Sequence, residues 1–94
     1  MSILIVDDDE EYLSYMRMAL KAAGHDPVLA SSAYAACRTI ETGHFGVVVT
    51  DLVMPDKTGL EILEHARSRD PLTVGIIMTA FGSVETALEA LRQG

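Results

Sequence analysis

The feature that most constrains this chain is a buried strand that stops on an acid: Val47 to Gly59 reads VVVTDLVMPDKTG. Val47, Val48 and Val49 are β-branched with no polar alternation, the pattern of a strand covered on both faces, as in a parallel sheet packed between helices. Asp51 then sits at the strand's carboxyl end, and open α/β sheets bind ligands in the crevice outside those ends. Pro55, Asp56, Thr58 and Gly59 supply loop chemistry. Thr58 followed by Glu61 has capping-box spacing, so a helix is predicted from Gly59 or Leu60. Taken alone, Asp51 reads as an acid that caps a turn.

A second acid cluster changes that reading. Ser2 to Val6, SILIV, is another short apolar run, and it stops at Asp7, Asp8, Asp9, Glu10 and Glu11. With the two strands as neighbours, Asp7 and Asp8 converge on Asp51 across one crevice. Crowded carboxylates repel and raise one another's pKa unless a cation sits among them. The set therefore asks for a hard divalent metal, and Mg²⁺, which takes oxygen ligands at about 2.0–2.1 Å and keeps several waters, suits it. Asp9, Glu10 and Glu11 are read instead as acids at a helix N-terminus, where they complement the macrodipole.

The remaining chain alternates helix and strand. Glu10 to Ala23 carries Leu13, Met16, Leu20 and Ala23 on one stripe, widened by Tyr12, Tyr15 and Ala19, and Gly24 ends the helix. Asp26 to Ala30 reads as a short strand that Pro27 confines to a sheet edge or a strand start. Ser31 or Ser32 caps a helix from Ala33 to Glu41 on which Ala33, Ala36, Cys37 and Ile40 share one face, so the thiol is expected in the core. Leu60 to Arg69 is predicted to bury Leu60, Leu63 and Ala66 with Ile62 alongside. His25, His44 and His65 are expected at the surface. Thr73 to Met78, TVGIIM, reads as a central strand with Thr79 at its carboxyl end, and Val84, Ala87, Leu88 and Leu91 line a last helix ending at Gly94.

Composition narrows the classes of function. The 94 residues, 49% hydrophobic and 22% charged, have the profile of one globular domain. A formal net charge of −7 opposes non-specific binding to nucleic acid or an anionic membrane. Cys37 is the only cysteine, which excludes an intrachain disulfide and fits a reducing cytoplasm. No apolar run is long enough to span a bilayer, Ile3 to Val6 is too short and too closely followed by acids to read as a signal peptide, and no Gly-rich phosphate loop is present.

The segments ILIVDDDEE, VVVTDLVMPDKTGLE and VGIIMTAFG, in order along essentially the whole chain, closely resemble the receiver domain of two-component response regulators. The resemblance implies a flavodoxin-like, doubly wound parallel α/β sheet with strand order 2-1-3-4. It implies Asp51 as phosphoacceptor, Asp7 and Asp8 as the acid pocket for Mg²⁺, the backbone carbonyl of Val53 completing the metal shell, and Thr79 as the switch hydroxyl. The implied partner is a histidine kinase or phosphotransfer protein. No enzyme activity is expected beyond self-phosphorylation from phosphodonors and self-dephosphorylation. TAFGSVETALEALRQG looks most like receivers attached to transcriptional activators.

The family normally continues with a fifth strand carrying a lysine and a fifth helix. The sequence is therefore read as a receiver domain over residues 1–94, truncated to four βα units and without an output domain. Lys57, in the loop after Asp51, is read as a solvated lysine rather than a replacement. With that order, Thr73 to Met78 is an edge strand that no proline, lysine or charge blunts, so a symmetric homodimer through this edge is expected. Two other readings stand beside phosphotransfer: a receiver-like interaction module, and a Mg²⁺-dependent phosphatase with an aspartyl nucleophile. The phosphatase pattern places a second acid two residues after the nucleophile, where this chain has Val53.

Overall fold

Ile3–Val6 form β1, all four residues buried, because a strand with parallel neighbours on both sides and helices on both faces has no solvent side. The computed structural model describes residues 2–78. β1 pairs in parallel with β2, Val28–Ala30, and with β3, Val47–Asp51; β3 pairs in parallel with β4, Val74–Met78. The order is β2-β1-β3-β4, the doubly wound order expected. The last predicted helix and Thr79 lie outside the described residues.

Successive strand residues point to opposite faces, and this splits the core in two. Leu4, Val6 and Val48 pack with Ala33, Ala36, Ile40, Ile62, Leu63 and Ala66. These helical residues belong to α2, Ala33–Thr42, and α3, Gly59–Arg69. On the other face Ile3, Ile5 and Val49 meet Leu13 of α1, Glu10–Ala22, with Met16 and Leu20 partly covered. Asp9 caps α1 by accepting from the amides of Glu11 and Tyr12. Ser32, not Ser31, caps α2, and Thr58 and Glu61 form the expected capping box of α3. Gly24, just past α1, takes the left-handed conformation at φ 92° that a residue with a side chain rarely adopts.

Several burial expectations are corrected. Tyr15 is 66% exposed, and Ala19 and Ala23 are exposed as well. At about 100° per residue Tyr15 lies nearly opposite Leu13, so the apolar stripe of α1 is narrower than composition suggests. Leu60 is 41% exposed while Ile62 is fully buried, because the inward face of α3 runs through Gly59, Ile62, Leu63 and Ala66 at i, i+3, i+4 and i+7. Cys37 is half-buried, one step around α2 from Ala36. His65 is half-buried rather than exposed, its Nε2 3.6 Å from the Glu41 carboxylate across the α2–α3 seam. β4 begins at Val74, not Thr73, and exposes Val74 and Ile76.

Candidate metal and acceptor centre

β1 and β3 run side by side to the same edge, with Val6 opposite Thr50, so the residues that follow each strand emerge together. Asp7, Asp8 and Asp51 each offer a carboxylate oxygen within 4.8 Å of the others. The three acids singled out in the sequence are thus one cluster, at the carboxyl end of the sheet.

The backbone aims each acid. Asp7 still belongs to the sheet, its N–H donating to the Ala30 carbonyl at 3.1 Å. Its side chain is nearly buried, and Oδ1 accepts from the Asp9 amide at 2.9 Å. Asp8 faces solvent. Asp51 is half-buried and its Oδ1 accepts from the Val53 amide at 3.4 Å, a long bond. The loop after it is closed at its base: Leu52 N–H reaches the Met78 carbonyl at 2.9 Å, Gly59 N–H reaches the Leu52 carbonyl at 2.8 Å, and Val53 bridges Thr58. Gly59 is required there, since a Cβ would stand 2.2 Å from the Asp51 carbonyl oxygen.

Electrostatics follow from this crowding. Burial, first, and then the charges of Asp51, Asp8 and Asp9 push the Asp7 carboxyl above the usual carboxylate range, against a lowering pull from the Asp9 amide. Among the described residues basic side chains approach acids at Lys21–Asp26, His44–Asp70 and His65–Glu41, and none of these contacts reaches the cluster. Lys57 is exposed. An all-oxygen, all-anionic donor set that makes no ion pair among the described residues fits a hard divalent ion such as Mg²⁺.

One neighbour of the cluster was not singled out in the sequence. Tyr12 reads there as packing on α1, yet its hydroxyl donates to the Met78 sulfur at 3.0 Å, across to β4. Burial and then the charges of Asp7, Tyr15 and Asp51 push its phenol up. Its place four residues after Asp8, on the inward stripe of α1, is the signal that would have found it. Val53 is 66% exposed and meets Asp51 through its amide. Thr79 lies outside the described residues.

Residues 3–94 match the family described as Response regulator receiver domain. Among curated proteins, the chain is 36% identical over 92 residues to the Transcriptional regulatory protein ZraR of Salmonella typhimurium, an overlap of 98% of this chain and 21% of that protein. It is 37% identical over 92 residues to the Regulatory protein AtoC of Escherichia coli, covering 98% of this chain and 20% of the relative. The chain thus spans a small part of the length of these relatives. Among solved structures, the beryllofluoride-activated NtrC4 receiver domain dimer superposes with a TM-score of 0.86 at 33% identity, over 99% of this chain and 77% of that one. A response regulator receiver domain protein from Clostridium thermocellum superposes at 0.87 with 29% identity, over 99% and 75% of the two chains.

Proposed function

The chain belongs to the response regulator receiver domain family of two-component systems, and on that premise we propose that Asp51 accepts a phosphoryl group from a histidine kinase or phosphotransfer protein. The observation that carries this reading is the convergence of Asp7, Asp8 and Asp51 within 4.8 Å at the carboxyl end of the sheet. An oxygen of Asp51 attacks the phosphorus of a phosphohistidine, the new O–P bond forms as the P–N bond breaks, and the imidazole leaves with the electron pair. Asp8 and Asp51, with the carbonyl of Val53, are the ligands proposed for Mg²⁺, and Asp7 would hold the metal's waters. Bound there, Mg²⁺ supplies the charge neutralisation that phosphoryl transfer needs more than covalent help. The chain's own contribution is rigidity: β3 and the closed loop base fix the direction of Asp51, and the Asp9 amide fixes Asp7.

Thr79, the residue after Met78, is the hydroxyl proposed to report the phosphoryl group to the segment that follows. The output is a changed binding surface serving a regulatory protein, as the names of the relatives suggest, within a cytoplasmic signalling pathway. Incubating the protein with Mg²⁺ and acetyl phosphate and reading intact mass tests the reading. A gain of one phosphoryl group in the wild type and none in Asp51→Asn supports it. A wild type that gains nothing leaves an interaction module as the better description.

Self-association through β4 is part of the proposal. β4 ends the sheet among the described residues, Val74 and Ile76 are exposed on it, and one similar structure is a receiver domain dimer. A single monomeric species in sedimentation at micromolar protein would remove this part.

A further inference from the structure

One side chain of the loop after Asp51 reaches a separate element. Asp56 lies between β3 and α3, and its Oδ2 accepts a hydrogen bond at 3.1 Å from the backbone N–H of Tyr34, in the first turn of α2. That turn leaves N–H groups without intrahelical partners. Ser32 takes one, its hydroxyl oxygen accepting from the Ala35 amide at 3.0 Å, and Asp56 takes another from across the fold. An anionic oxygen suits this end of a helix. The base of the loop is closed by the Val53–Thr58 bridge and Met54 is buried, but Pro55, Asp56 and Lys57 are exposed. The hold on the tip comes from Asp56.

That hold bears on the acids. The Val53 amide meets Asp51 at 3.4 Å, beyond the usual hydrogen-bond range, so a small shift of the loop loses the contact. We propose that Asp56 is a positioning residue of the acceptor site: by anchoring the loop on α2, it sets where Val53 stands relative to Asp51 and therefore how well the cluster takes a divalent cation. This rests on the reading of Asp7, Asp8 and Asp51 as a Mg²⁺ site.

The test titrates Mg²⁺ alone into the ¹⁵N-labelled full chain, following the Val53 and Tyr34 amides in the wild type, Asp56→Ala and Asp56→Asn. Asp56→Ala loses the acceptor, so the Tyr34 amide exchanges faster with solvent and Mg²⁺ binding weakens about 3- to 10-fold, the worth of one hydrogen bond. Asp56→Asn keeps an acceptor oxygen while losing the charge, and both readouts stay within about 2-fold of the wild type. Equal weakening in Asp56→Asn and Asp56→Ala overturns the proposal, because the effect would then be one of charge. A wild-type Mg²⁺ response that Asp56→Ala leaves unchanged overturns it alone. A wild type with no Mg²⁺ response overturns the reading of the site and this proposal with it.

Discussion

The two ends of the parallel sheet follow opposite rules. At the amino end, several covered polar groups are paired, although the buried His65 Nε2 has no hydrogen-bond partner among the described residues. The buried Thr73 hydroxyl donates to the Phe45 carbonyl at 2.8 Å, and the Thr73 amide donates to the Asp70 carbonyl at 3.1 Å. Arg69 Nη2 donates to the Glu41 carbonyl at 3.0 Å, and His44 lies 3.7 Å from the Asp70 carboxylate. At the carboxyl end of the same strands, three carboxylates crowd within 4.8 Å of one another and the described contacts between basic and acidic side chains lie elsewhere. One end is built to be stable; the other carries a local conflict that an additional charge would resolve. Such conflicts between local chemistry and global fold mark functional sites.

The largest expected difference between the ends is chemical. Asp51→Asn should abolish acyl-phosphate formation, read as intact mass after incubation with Mg²⁺ and a phosphodonor, since an amide cannot attack phosphorus. The fold should survive, because the amide oxygen can still accept from the Val53 N–H. Phosphate incorporation equal to that of the wild type would move the acceptor elsewhere.

Next in size is the response to Mg²⁺. A ligand that binds the native state alone stabilises it by about 2.7 kcal/mol at a hundred times its dissociation constant. Denaturant melts with Mg²⁺ and with chelator should therefore differ by that order, and Asp8→Ala should need more Mg²⁺ for the same gain. A Mg²⁺ effect that Asp8→Ala leaves intact would mean that the ion is held outside the cluster.

At the amino end, Thr73→Val keeps the shape and removes the hydroxyl, leaving the Phe45 carbonyl short of a partner. It should lower stability by about 1–3 kcal/mol and leave the Mg²⁺ midpoint where it was. A shift in that midpoint would show that the two ends are coupled, and the contrast between them would lose its force.

Most of this was legible in the sequence because burial in a parallel sheet writes itself as unbroken apolar runs. VVV before Asp51 and ILIV before Asp7 identified both strands and placed their acids at one edge, and Thr58 with Glu61 identified the start of α3. What pattern alone could not carry is which arc of a helix meets the sheet. Tyr15 and Leu60 are apolar but lie off the inward face, while His65 is polar and half covered by α2. The bond from Tyr34 to Asp56 joins residues 22 apart through a loop tip, and no periodicity announces a contact of that kind. Tyr12 is intermediate, since its helical position was readable but its partner Met78 belongs to a distant strand.

The smallest expected effect tests the conflict at the carboxyl end most directly. Burial and neighbouring charges raise the Asp7 pKa in the folded protein, so in metal-free buffer the native state holds that proton to higher pH than the unfolded chain does. Stability then falls as pH rises from the ordinary aspartate value to the raised one, and the loss is complete above it. Asp7→Asn mimics the protonated form and keeps an acceptor for the Asp9 amide. In metal-free buffer near neutral pH the variant should melt a few degrees higher than the wild type, with the gap closing as pH falls through that window and vanishing below it. The difference between the two proteins reports Asp7 together with the charges coupled to it. Excess Mg²⁺ should reverse the sign, because the ionised cluster then has a partner that the variant holds less well. Equal stability of the two proteins at every pH without metal would mean that the amide bond to Asp9 already offsets the crowding, and that the carboxyl end is no more strained than the amino end.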